Sequence, residues 1–197
     1  MSLVAGAQPA QSGRMTQALL VIDVQESFRS TERWQTISDP EVLPRIAELV
    51  ARFRAAGSPV FWVLHSDPDT GSDFDPGNGL VRVVDTLEPA ADEPVIVKTT
   101  INSFTSTDLE QRLRAAGVDR LVLCGIRTDQ CVETTARIAT DLGFDTTVVL
   151  DATATNPAGA LTAQQVVERT AEVLAAREFA HVMTLDELVL EAAAVSG

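Results

Sequence analysis

Leu121-Val122-Leu123-Cys124-Gly125-Ile126-Arg127-Thr128-Asp129-Gln130-Cys131 changes character halfway along. Its first half is a continuous apolar run, the pattern of a strand buried on both faces. Gly125 to Gln130 reads as a turn. A helical pattern then runs over Asp129–Leu142 and stops at Gly143. A strand that passes through a turn into a helix is half of a parallel βαβ unit. The same alternation fills the rest of the chain. Apolar, β-branched runs occur at Ala18–Asp23, Pro59–His65, Pro94–Lys98, Arg120–Gly125, Thr146–Asp151 and His181–Met183. Helical patterns fall at Pro40–Ala56, Thr107–Ala116, Asp129–Leu142, Leu161–Ala176 and Leu185–Ala194. The fold class is therefore α/β: a three-layer, Rossmann-like arrangement with a mostly parallel six-stranded sheet and helices on both faces.

The chain has 197 residues, enough for one well-buried domain, expected over 16–197. Residues 1–15 are small and polar and read as a flexible arm. The formal net charge of −13 argues against nucleic acid and anionic membrane as partners, since both need a basic footprint. No stretch has the length of a membrane span, so a cytoplasmic protein acting on a small molecule is expected. The two cysteines, Cys124 and Cys131, do not make a disulfide framework, and no CxxC metal pattern occurs. Between Ser66 and Gly79 lies a long irregular stretch rich in Asp, Pro, Gly and Ser. A loop of that length is usually functional or mobile.

Ligands of open parallel sheets bind beyond the carboxyl ends of the strands. Asp23 ends the first strand, His65 the second and Lys98 the third, while Gly125 ends the fourth and Cys131 opens the following helix. Lys98 is the only lysine; every other cationic side chain is an arginine. A lysine supplies a compact charge that can tune a thiol or hold an anion. A strand-end lysine with its head in water is the alternative. Cys131, near a helix N-terminus, meets backbone N–H groups and the positive end of the helix, both of which favour thiolate. A buried structural cysteine is the alternative there, and Cys124, inside a strand, fits that description. Asp23 beside a thiol can take its proton and pass it to a leaving group, or can merely cap a turn.

Three segments carry a resemblance. Leu20-Val21-Ile22-Asp23-Val24-Gln25-Glu26-Ser27-Phe28, Val97-Lys98-Thr99-Thr100-Ile101-Asn102-Ser103-Phe104 and Cys124-Gly125-Ile126-Arg127-Thr128-Asp129-Gln130-Cys131-Val132-Glu133-Thr134-Thr135-Ala136 follow one another in order. Asp151-Ala152 fits as well. The chain resembles the isochorismatase-like cysteine hydrolases, which include nicotinamidases and N-carbamoylsarcosine amidohydrolase. The resemblance implies a triad of Asp23, Lys98 and Cys131. It also implies a non-proline cis peptide at Ile126-Arg127, with the amides of Arg127 and Cys131 facing an oxyanion. A homo-oligomer, a dimer or larger, is implied too.

The nicotinamidases of that family hold a metal with an Asp and histidines after the second strand. This chain has His65 alone among histidines there, so no metal and no cofactor are expected. Isochorismatases proper cleave a vinyl ether without a thiol. Cys131 therefore favours a C–N bond of a small amide, carbamoyl or ureido compound, cleaved through a covalent intermediate. A vinyl ether hydrolase is the alternative, and a catalytically idle scaffolding member is the second. A nucleotide-binding reading fails because Asp23-Val24-Gln25-Glu26-Ser27 contains no glycine for a phosphate cradle. Gln25, Phe28, Trp34, His65, Phe104 and Thr128 are the candidate pocket residues. Core packing is the alternative for the aromatics, and Arg127 either meets a substrate carboxylate or points to solvent.

Overall fold

The computed structural model describes residues 16–190, so the arm expected over 1–15 lies outside the described residues. Six strands, β1 (Thr16–Ile22), β2 (Val60–His65), β3 (Val95–Lys98), β4 (Val118–Ile126), β5 (Asp145–Ala154) and β6 (His181–Met183), form one sheet. Their order is β3-β2-β1-β4-β5-β6, and every pairing is parallel. The order reverses between β1 and β4, and the crevice of such sheets opens there.

Side chains of β1 show why the sheet needs cover on both faces. Leu19 and Val21 join one apolar cluster, with Val42, Ile46, Leu49 and Phe53 of α2 (Val42–Ala55). Ala18, Leu20 and Ile22 join the other. That second cluster holds Leu109 and Leu113 of α3 (Leu109–Ala115), Ala136 and Ala139 of α4 (Glu133–Asp141) and Leu174 of α5 (Ala163–Ala176). A continuous apolar run is what a strand sandwiched between two helical layers requires. The short helix α1 (Glu26–Arg29) and a 3-10 turn (Glu32–Thr36) follow β1.

Three expectations need correction. The Pro94–Lys98 segment is not buried throughout. As an edge strand, β3 alternates, with Ile96 and Lys98 inside and Val95 and Val97 about half exposed. The helix expected from Leu161 starts at Ala163, because Thr162 caps it: its hydroxyl accepts from Gln165 N while the Gln165 side chain accepts from Thr162 N. The helix expected over Leu185–Ala194 is absent from its described part, and residues 185–187 form a turn. Backbone groups there bond outward instead. Leu185 N donates to Asp151 and Leu185 O accepts from Arg52, both at 2.8 Å, while Leu185 and Leu188 plug the α2 side of the core.

Candidate active site

The carboxyl ends of β3, β2, β1 and β4 lie side by side, so one row of residues crosses the sheet: Lys98, His65, Asp23 and Gly125. His65 and Lys98 are register partners, and Ile22 pairs with both Val63 and Gly125. Asp23 follows directly in a left-handed conformation, φ 53°. Such backbone costs roughly 1 kcal/mol or more outside glycine and concentrates at functional sites. Gly125 is required by close packing. A Cβ there would lie 1.9 Å from the carbonyl oxygen of Ile22, and its φ is 124°. The peptide Ile126–Arg127 is cis. Beyond it, Thr128–Val132 forms a π-helical turn that leads into α4 and carries Cys131. Thr128 is fully buried and its hydroxyl donates to Thr153 on β5, which holds this turn against the sheet.

Lys98 and Asp23 are both completely buried, with Nζ 2.8 Å from Oδ2. The ammonium also donates to Thr100 O at 3.1 Å and lies 3.3 Å from His65 Nδ1 and 3.6 Å from Cys131 Sγ. His65 Nε2 is 2.9 Å from Asp67 Oδ1. Above these groups is a cavity of about 130 Å³, lined by Asp23, Phe28, His65, Asp67, Phe74, Ile101, Arg127, Gln130 and Cys131. Phe74, from the 66–79 loop, meets Phe28 edge to face at 5.0 Å and His65 at 5.5 Å. The irregular loop is thus folded against the site.

Burial pushes the Asp23 carboxyl above its ordinary value, opposed by the Lys98 charge and by hydrogen bonds from Cys131 and Lys98. Burial also pushes the Cys131 thiol up, and the Asp23 charge adds to it; Lys98 opposes both and does not prevail. Desolvation and the Asp23 charge outweigh the ammonium, so the surroundings favour the thiol form of Cys131 over the thiolate that the lysine and the helix end were expected to favour. Cys124 is buried in β4 and its S–H faces Leu20 O at 3.7 Å.

Of the candidate pocket residues, Phe28 and His65 line the cavity; Gln25, Trp34, Phe104 and Thr128 are not among its lining residues. Gln25 is wholly buried and clamps the end of β2: its Oε1 accepts from His65 N at 2.7 Å and its Nε2 donates to His65 O at 2.9 Å. Trp34 packs on the α2-side cluster under Arg29. Phe104 stacks on Phe144 in the other cluster. Asp67, Phe74, Ile101 and Gln130 line the cavity without having been singled out. Their signals were present, since two lie in the long loop and two flank Lys98 and Cys131.

The metal pocket of the nicotinamidases does not fit these residues. Both ring nitrogens of His65 face partners, Lys98 and Asp67. Among the described residues no group of three His, Cys, Asp or Glu side chains is placed to hold an ion.

A burial-tuned carboxylate, an ammonium and a thiol around a small cavity are the parts of a thiol hydrolase. The Isochorismatase domain model matches residues 17–187. The chain belongs to the isochorismatase family. It is a hydrolase of that family. It is 37% identical over 142 residues to the isochorismatase family protein YddQ of Bacillus subtilis, covering 72% of this chain and 79% of that one. Streptothricin hydrolase of Streptomyces noursei is 37% identical over 150 residues, which cover 76% of this chain and 58% of the relative. Ureidoacrylate amidohydrolase RutB of Methylobacterium radiotolerans is 30% identical over 185 residues, covering 77% and 72%. Among solved structures, a hydrolase of the isochorismatase family from Chromobacterium violaceum superposes with a TM-score of 0.81 at 28% identity, covering 91% of this chain and 94% of that one. A cysteine hydrolase from Pseudomonas syringae pv. phaseolicola gives 0.80 at 26%, covering 95% and 96%. No helix among the described residues is long and apolar enough to cross a membrane.

Proposed function

We propose that this isochorismatase-family hydrolase cleaves the C–N bond of a small amide, carbamoyl or ureido compound through a covalent intermediate on Cys131. The observation that carries this reading is a cavity lined by Asp23 and Cys131, with the buried Lys98 ammonium within 2.8 Å of the carboxylate and 3.6 Å of the sulfur. Two relatives support it, one called a ureidoacrylate amidohydrolase and the other a streptothricin hydrolase.

Asp23 accepts the Cys131 proton as Sγ attacks the carbonyl carbon. The oxyanion meets the amides of Arg127 and Cys131. Asp23 then hands the proton to the departing nitrogen, and the amine or ammonia leaves behind a thioester. Water, deprotonated by Asp23, attacks that thioester, and the acid departs as Sγ regains its proton. The Lys98 ammonium balances whichever of Asp23 and Sγ is anionic. Each step is supplied by protein groups, so the mechanism calls for no metal. The protein acts as a soluble cytoplasmic homo-oligomer on a small molecule, with neither nucleic acid nor membrane as partner.

A panel of small amides, carbamoyl and ureido compounds, screened for ammonia or amine release, tests the reading. Turnover by wild type and none by Cys131→Ala is expected, with an acyl adduct on Cys131 visible by mass spectrometry after rapid acid quench. Turnover retained by Cys131→Ala would sink it.

A further inference from the structure

The geometry points to Arg127 as the residue that selects the substrate, its guanidinium binding a carboxylate carried a few bonds from the scissile carbonyl. This inference rests on the thiol hydrolase reading and narrows its substrate class to small amides bearing an acid group. The argument is one of uncompensated charge. Two carboxylates and one arginine line the cavity. Asp23 is matched by Lys98 at 2.8 Å. Asp67 is turned to His65 at 2.9 Å and its side chain is 42% exposed, so water screens it. Arg127 has no such partner. Its one hydrogen bond goes to a neutral group, Gln130 Oε1 at 2.9 Å, and among the described residues no carboxylate pairs with it.

Several other arginines meet carboxylates. Arg33 meets Asp73, while Arg137 and Arg169 share Glu133. Arg127 is also held in place. Its guanidinium carbon sits 5.9 Å from the centroid of the Phe28 ring, which is buried. An aromatic surface under a guanidinium supports it while leaving N–H groups free, and their fork matches the two oxygens of a carboxylate.

Size fixes the spacing. The cavity, about 130 Å³, is small. Drug-sized ligands need several times more. Arg127 and Cys131 line this one small space, so the anion and the reacting carbonyl sit close together in the same molecule. The chain as a whole works against anions, with a net charge of −13. A preference for an acid over its uncharged isostere must therefore come from a local cation.

N-acetylglycine and N-acetylglycinamide are near-isosteric and differ in charge, an acceptor oxygen of one being an NH2 in the other. Calorimetric titration of each into the full chain carrying Cys131→Ala, which binds without turning over, reads the preference directly. The acid is expected to bind about tenfold or more tightly than the amide, as a charge-assisted hydrogen-bonded pair should. Adding Arg127→Gln should erase the difference; Arg127→Met serves if the first substitution does not fold. Equal binding, no binding by the acid, or a preference that survives loss of Arg127 overturns the inference. Because the titration reads binding alone, it is independent of the turnover test on Cys131. Failure there leaves this result standing, and failure here leaves the thiol mechanism intact.

Discussion

Asp23, the base of the proposed mechanism, is a carboxyl whose surroundings resist its charge. Burial raises its pKa above the ordinary 3.8, so the folded protein binds this proton more readily than the unfolded chain does. The sign for stability follows. An ionised Asp23 costs stability at neutral pH, and the cost is relieved as pH falls through the folded value. Activity runs the other way, since only the carboxylate can take the Cys131 proton. The acid limb of kcat/KM should therefore have its midpoint above 3.8, and a limb at or below that value would remove Asp23 as the base. Asp23→Asn should keep the fold and lower kcat about 10²–10⁴-fold, measured on whichever amide the screen identifies. That Asp23, Lys98 and Cys131 would meet was legible in the sequence because their types are rare where they stand: one lysine, one cysteine after a strand-turn, one aspartate at a strand end. Their protonation was not. Spacing along the chain says nothing of how many apolar neighbours surround Sγ, and it is this desolvation that outweighs the ammonium.

At the scale of elements, the turn after β4 is where sequence and backbone are most tightly joined. Gly125→Ala would drive a Cβ to 1.9 Å from Ile22 O, a main-chain atom of the central strand that cannot swing aside. The variant should fail to pair β1 with β4. The expected outcome is loss of soluble folded protein by circular dichroism and gel filtration, not a milder loss of turnover alone. A folded, active Gly125→Ala protein would show that the two strands sit further apart. Strand and helix identities were readable from apolar periodicity, which reports burial. The failures share one cause. β3 and the 185–187 turn are shaped by partners far away in sequence, an uncovered sheet edge for one, and Asp151 and Arg52 for the other. Gln25 belongs with them, since a glutamine after a strand gives no hint that its amide will hold the backbone of residue 65. Phe104 joined the core and Trp34 packed against its edge for the bland reason that large rings bury most area there.

For the whole molecule, two outcomes are expected. Turnover should survive exhaustive chelation and dialysis, because in the proposed mechanism the thiol and two amides serve as nucleophile and oxyanion site; loss with EDTA and recovery with Zn²⁺ or Mn²⁺ would point to a metal-assisted route. The chain should also sediment and scatter light as a dimer or larger at micromolar concentration. Val95, Val97 and Ile101 are about half exposed on the β3 side, and the last of them borders the cavity. Apolar surface so near a reaction centre is suited to cover by a second copy. A strictly monomeric species would refute the assembly and leave the chemistry untouched.

The row of Lys98, His65, Asp23 and Gly125 has a consequence for how this enzyme fails. Each member hangs from a different strand, and in a parallel sheet neighbouring strands are joined only through long crossovers. No local segment can hold two of them together while the rest is loose. Catalysis is then an all-or-nothing reporter of the sheet. In a urea titration, activity and far-ultraviolet ellipticity should disappear along one shared curve. A curve for activity that drops well before ellipticity would mean that the strands can stay paired while their ends come apart.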